Sequence, residues 1–157
     1  MKPIPKMKRI DLQIREYSPD DRETCLAIFD TNRPKYFAEH EREEFAGWLD
    51  KTDRPSYSVL ELTNEVVACG GIYLDEVRNQ TGLAWGMVRS DLHSQGIGRV
   101  LTELRVQQMQ TEFPTLKQCL ETSQHTFQFY EKMGFQTVEI TPDGFGPGID
   151  RYDMVRQ

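Results

Sequence analysis

The span Trp85-Gly86-Met87-Val88-Arg89-Ser90-Asp91-Leu92-His93-Ser94-Gln95-Gly96-Ile97-Gly98-Arg99 changes character three times. A strand pattern ends at Val88. A polar loop follows, then two glycines, and then the apolar spacing Ile97, Val100, Leu101, Leu104, which predicts a helix from Ile97 to Glu112, ended by Pro114. The first turn of a helix leaves unpaired N–H groups and a partial positive charge. Gly96 and Gly98 let a ligand come close to the backbone there. The combination suits an anion such as a pyrophosphate, with His93, Arg89 and Arg99 as sources of further positive charge. A Gly-x-Gly before a helix also occurs in ordinary turns, so the span needs its context. No Gly-Lys-Ser/Thr follows, which excludes a Walker A loop. The third glycine of a dinucleotide fingerprint is replaced by Leu101, and the strands before the loop read as an antiparallel meander, not a βαβ unit.

Upstream, Ile10 to Tyr17 alternates and reads as a first strand. Ser18-Pro19-Asp20-Asp21 has the chemistry of a helix start, with a capping hydroxyl, a proline at the first helical position and acids at the positive end of the dipole. Leu26, Ile28 and Phe29 form the buried side of that helix, and Asn32-Arg33-Pro34 breaks it. A second helix is expected from Tyr36 to Leu49, with the acidic run Glu41-Arg42-Glu43-Glu44 as a solvated face. Tyr57–Leu62 and Glu65–Leu74 flank the turn Thr63-Asn64 as a hairpin. Leu83 to Val88 adds a third strand, on which Leu83, Trp85 and Met87 share one side as core. Downstream come a strand at Gln118–Thr122, a short helix at Thr126–Met133 closed by Gly134, a strand at Phe135–Ile140, a loop at Thr141–Gly148 and a last strand at Ile149–Val155. This order is that of an α/β domain with a mixed sheet.

The 157 residues suit one core, so residues 1–157 are read as a single domain. Hydrophobic residues at 38 % and charged residues at 28 % are the balance of a globular domain. The longest apolar stretch, Val66 to Leu74, is far short of the roughly 20 residues a membrane helix needs, so no membrane partner is expected. A net charge of −6 lacks the basic footprint of a nucleic-acid binder. Cys25, Cys69 and Cys119 are far apart, with no CxxC or Cys/His cluster, which argues against a metal site and for reduced, buried thiols in a cytoplasmic protein. The N-terminal MKPIPKMKR has no apolar run after it and does not read as a signal peptide.

His93-Ser94-Gln95-Gly96-Ile97-Gly98 resembles the acyl-CoA-binding motif of the GNAT N-acetyltransferase superfamily, Arg/Gln-x-x-Gly-x-Gly/Ala, with His93 where the family usually has Arg or Gln. Ser123-Gln124-His125-Thr126-Phe127-Gln128-Phe129-Tyr130-Glu131-Lys132-Met133-Gly134-Phe135 resembles the family's Asn-x-x-Ala-x-x-Phe-Tyr-x-x-x-Gly-Phe segment. Its Phe-Tyr-Glu-Lys-Met-Gly-Phe portion matches closely, while Ser123 replaces the common Asn and Thr126 the common Ala. Both motifs stand in the family's order and spacing. The resemblance is detailed over Glu65 to Ile140 and extends over the chain through element order. It implies the GNAT acyl-CoA N-acyltransferase fold, a mixed and mostly antiparallel central sheet flanked by helices.

The resemblance also implies an acetyl-CoA-dependent N-acetyltransferase. Splayed fourth and fifth strands would hold the CoA arm. Met87 and Val88 would pair their backbone with the pantetheine amides, and the backbone of His93, Ser94, Gln95, Gly96, Ile97 and Gly98, next to Arg99, would hold the pyrophosphate. Ser123 would reach the CoA arm by its hydroxyl. Tyr130 matches the family's general acid, which protonates the departing thiolate. Glu121 is the candidate base, with Asp75, Glu76, His125 or a water chain as alternatives. The acceptor, a small-molecule amine or a protein amino group, would meet Asn32–Glu44 and the Asp143–Gly148 hairpin. A homodimer is favoured by the same resemblance, and no metal is called for. The competing reading is a catalytically silent CoA-binding sensor or regulatory module.

Overall fold

The computed structural model describes residues 11–157, so Ile10 and the basic N-terminal stretch lie outside the described residues. Seven strands form one sheet: β1 (Leu12–Glu16), β2 (Tyr57–Leu62), β3 (Glu65–Asp75), β4 (Gln80–Val88), β5 (Lys117–Thr122), β6 (Gln136–Gly146) and β7 (Ile149–Arg156). Their spatial order is β1-β2-β3-β4-β5-β7-β6, and every neighbouring pair is antiparallel except β4 and β5. Among the described residues four α-helices accompany the sheet: α1 (Arg22–Thr31), α2 (Glu41–Asp50), α3 (Ile97–Glu112) and α4 (Phe127–Glu131).

The local chemistry of most elements follows the sequence. Ser18 accepts a hydrogen bond from the Asp20 N–H, and the Asp21 carboxylate accepts one from the Ser18 N–H. This reciprocal cap starts a short 3-10 turn, Pro19–Asp21, and α1 continues from it. Arg15 reaches Asp21 at 2.7 Å and ties the cap to β1.

Four expectations need correction. The second helix begins at Glu41, not Tyr36, because Glu41 turns its carboxylate back to the Ala38 N–H at 3.1 Å and fixes the start there. Glu41 is therefore buried, at 6 % exposure, and does not belong to a solvated face. The loop expected at Thr141–Gly148 is mostly strand: β6 runs to Gly146 with an irregular ladder after Thr141. Asp143 and Asp150 make this possible by accepting from the Gly148 and Asp143 N–H groups across the hairpin. Leu83 does not share a side with Trp85 and Met87. A bulge at Trp85-Gly86, opposite Gly70, inserts one residue and shifts the alternation.

Two packed layers result. Cys25, Leu26, Phe29, Phe45 and Leu49 of α1 and α2 cover Tyr57, Val59, Cys69 and Met87, with Trp85 packed at their edge. Ile97 and Leu101 of α3 cover Leu60 and Ala68, while Val106 and Met109 meet Ile72, Leu120, Phe135 and Met154, with Leu83 beside them. The three cysteines are free and buried. Among the described residues no helix is long and apolar enough to cross a membrane. None of their His, Cys, Asp and Glu side chains form a metal-holding group of three or more.

Candidate active site

The parallel pair β4–β5 is short. Gln80, Thr81 and Gly82 pair with Lys117, Gln118 and Cys119, and there the ladder stops. Beyond that point β4 runs on to Val88 and β5 to Thr122 without pairing with each other. The bulge starts this divergence, and the Tyr57 hydroxyl holds it by donating to the Trp85 carbonyl at 2.5 Å. A cleft of about 600 Å³ fills the space between the strands.

One wall is α3. Gly96, with φ of +88°, is its N-cap, and no side chain caps the helix. A left-handed residue is needed where the loop turns into the helix, and glycine adopts it without strain. The first-turn N–H groups are thus left for a ligand. Ser94, Gly96, Gly98 and Arg99 line the cleft mouth. The Ile97 side chain is fully buried in the core, so only its backbone faces the turn, and Gln95 does not line the cleft. Arg99 is exposed and pairs with Glu103 at 3.1 Å. Arg89 is bound to Glu65 at 2.6 Å and Asp91 at 2.7 Å, which removes it as a source of free positive charge.

The floor is β4. The Arg89 N–H bonds to the Val67 carbonyl, so by strand alternation Met87 faces its backbone groups toward Cys69 and Val88 faces them toward the cleft. The Val88 carbonyl accepts from Asn32 Nδ2 and meets His93 Nε2, both at 2.9 Å. His93 therefore folds its ring over the strand end. Tyr36 stands edge-on to both His93 and His125, with ring centroids at 5.3 and 5.9 Å, and brings the two motif loops together at the mouth.

The opposite wall comes from β5 and α4. Ser123 is buried, and its Oγ accepts from the His125 N–H at 3.2 Å, so it starts the turn into α4 while lining the cleft. Thr122 and Thr126 share a short hydroxyl–hydroxyl hydrogen bond. Tyr130 packs edge-on against Phe129 and Phe135 and also lines the cleft. Glu121 is open to the water of the cleft, yet the surrounding walls raise its carboxyl pKa, with Asp153 adding to the effect. Of the other proposed bases, His125 lines the cleft and Asp75 and Glu76 do not.

The remaining side is acidic and aromatic. Tyr36, Phe37, Glu41 and Trp48 from the α1–α2 region and Phe145 from β6 line it. Phe37 stacks on Phe29 and tilts against Trp85. Burial raises the Glu41 carboxyl pKa, opposed by its hydrogen bond from Ala38 and reinforced by Glu44. Tyr73 also lines the cleft, and burial pushes its hydroxyl up to about 12.

Two residues escaped the sequence reading. Glu41 was hidden in its acidic run. Arg105 is 3 % exposed and lines the cleft from α3. Its signal was present: Ile97, Leu101, Arg105 and Met109 follow one another at four-residue spacing, so an arginine stands on the apolar stripe of the helix.

Comparison with known proteins bears on the fold and the family. A family model described as "Acetyltransferase (GNAT) family" matches residues 22–135. A GNAT-family structure from Desulfovibrio desulfuricans superposes with a TM-score of 0.78 at 16 % identity, covering 93 % of this chain and 98 % of that one. The ribosomal-protein-S18-alanine N-acetyltransferase of Escherichia coli gives 0.75 at 18 % identity, covering 92 % of each chain. Mutant forms of the spermidine/spermine N-acetyltransferase SpeG of Vibrio cholerae give 0.73 at 13 %, covering 94 % of each. At these identities the superpositions speak for the fold. Among curated proteins no sequence matches the chain.

Proposed function

The chain belongs to the acetyltransferase (GNAT) family, and from that premise we propose that it transfers an acetyl group from acetyl-CoA to a primary amine of a small molecule or protein by direct attack. The observation that carries this reading is the opening of the sheet between β4 and β5, with an uncapped α3 N-terminus at its mouth and Tyr130 on its wall. The residues fit such a donor. A pyrophosphate meets the N–H groups around Gly96, Ile97 and Gly98, next to Ser94 and Arg99. A pantetheine arm meets the cleft-facing backbone of Val88 and the hydroxyl of Ser123. His93 and Asn32, which now occupy the Val88 carbonyl, yield to it or flank it. The His93 and Gln95 main chains lie in the same loop, and Met87 supports the strand from the core.

When bound, the donor supplies an activated acyl carbon and a thiolate leaving group. The protein's part is to orient, to move protons and to exclude water. Glu121 takes the proton of the incoming ammonium, and a carboxylate with a raised pKa is a better base for this than an ordinary one. Tyr130 donates its phenolic proton to the leaving sulfur. Its hydroxyl has no hydrogen-bond partner among the described residues and is free for that task. The acidic wall with Glu41 and Glu121 suits a cationic amine. The reading places the protein in the cytoplasm, as a homodimer, with the partly exposed Val138 and Ile140 of β6 as the apolar surface to bury. Sedimentation tests the dimer.

The first test is thermal melting with CoA, acetyl-CoA and desulfo-CoA. Ligand at 100 times its dissociation constant stabilises by about 2.7 kcal/mol, a shift of roughly 5–11 °C at 2–4 °C per kcal/mol for a chain of this size. Stabilisation by all three, followed by thiol release with members of an amine panel, supports the proposal. No shift with any of them refutes it. Binding without turnover across the panel gives the regulatory CoA-binding module instead.

A further inference from the structure

Arg105 is a charged side chain in the core side of the cleft, with no carboxylate to pair with. No ion pair among the described residues includes it, and its buried Nε has no hydrogen-bond partner. Burying a guanidinium this way is costly unless something answers the charge. The fold also makes room for it. A β-carbon on Gly86 would lie 2.3 Å from Nη1 and 2.5 Å from Cζ and Nη2, and one on Gly70 would lie 3.2 Å from Cδ and Nε. Two strands thus carry glycine where the guanidinium rests.

Its depth narrows what it can meet. Gly98, in the first turn of α3, faces Val88 and Phe129 at the mouth. Arg105 is seven residues further on, a rise of about 10 Å along the helix. That is too deep for the phosphates at the α3 N-terminus. It lies against Gly86, two residues inward from Val88 along β4, or about 7 Å. If a CoA arm runs past Val88, the level of Gly86 is where its thioester arrives. This step rests on the proposed function above.

We infer that Arg105 is the oxyanion-stabilising residue of this cleft: its guanidinium faces the thioester carbonyl oxygen and stabilises the negative charge that develops there. The amine nitrogen forms a bond to the carbonyl carbon, and the π pair moves onto the oxygen. The oxyanion then re-forms the carbonyl, the carbon–sulfur bond breaks and the sulfur leaves with its electron pair. The ammonium proton goes to the base before attack, the Tyr130 proton goes to the sulfur as it leaves, and the second proton that the nitrogen sheds as the amide forms returns through water to the Tyr130 oxygen. A fixed cation at the oxygen lowers the energy of the charged state without reorganising. It also explains why a permanently charged side chain stands among apolar neighbours without a partner in the unliganded protein.

The test uses a readout that needs no acceptor. Acetyl-CoA labelled at the carbonyl carbon is bound to the full chain, and its carbonyl band is read by isotope-edited infrared spectroscopy. The band moves to lower frequency on binding to the wild type. Arg105→Met loses this shift, Arg105→Lys keeps part of it, and the dissociation constants for CoA and acetyl-CoA change less than about threefold. Once an acceptor is in hand, kcat falls by about 10²–10³ in Arg105→Met, the scale of losing one oxyanion donor. A full band shift in folded Arg105→Met overturns the inference. So does joint loss of CoA binding and melting temperature in both variants, which marks a structural role. Malonyl-CoA binding more than about tenfold tighter than acetyl-CoA, with the excess lost in Arg105→Met, also overturns it and makes the site a carboxylate pocket. Failure of CoA itself to bind the wild type removes the proposed function, and this inference with it.

Discussion

Tyr130 is held by Phe129 and Phe135 through ring contacts and needs no hydroxyl to stay in place. Tyr130→Phe therefore leaves the melting temperature and the CoA dissociation constant essentially unchanged while kcat falls by about 10²–10⁴, the usual contribution of a general acid. Equal turnover in the two forms, measured by thiol release, would remove Tyr130 from the chemistry. The tyrosine was legible because the segment from Phe129 to Phe135 is a dense motif. Glu41 and Arg105 were not. A carboxylate inside an acidic run reads as a solvated face, and the place of Arg105 on the apolar stripe of α3 shows only when its spacing from Ile97, Leu101 and Met109 is followed. Only tertiary packing turns one toward Ala38 and the other onto Gly86.

At the scale of elements, α2 begins where Glu41 folds back on Ala38. Burial holds this carboxyl above the ordinary range near 4.3, so its charged form is disfavoured in the folded state. The folded state then binds more protons than the unfolded chain, and this contribution to stability declines as pH rises from about 4.3 through the folded value. Glu41→Gln keeps an oxygen acceptor for the Ala38 N–H without the charge. Its melting temperature relative to wild type becomes more favourable between about pH 4 and pH 8, and a difference that stays flat over that range contradicts the assignment. Helix α3 was legible to the residue, because its apolar period is long and Pro114 ends it. The first half of β6 was legible too, but its extension over residues 141–146 was not, because Asp143, Gly144 and Gly146 have turn chemistry. The Asp143 N–H donates to Asp150 and the Gly148 N–H to Asp143, a pairing of side chains with distant backbone that turn chemistry conceals.

For the whole molecule, element order made the class of fold legible, since hairpin turns and a helix between β4 and β5 leave few sheet topologies open. The extent of the cleft was not legible, because it depends on where a ladder stops. Only three residue pairs join β1–β4 to the half-sheet β5-β7-β6. A donor lying between β4 and β5 bridges the halves, so acetyl-CoA slows amide exchange most at the β4 end near Val88 and the β5 end near Thr122. It does so much less at the outer strands β1 and β6. Uniform slowing over the sheet would point to general stabilisation without bridging.

The short β4–β5 ladder has a mechanical meaning as well. The protein is like a book with Gly82 and Cys119 at the spine. Opened by force across the two covers, it parts along a line already unzipped for most of its length, while the hairpins on either side stay whole. A ligand between the pages is then also a rivet, and release of product and loosening of the sheet become two views of one motion.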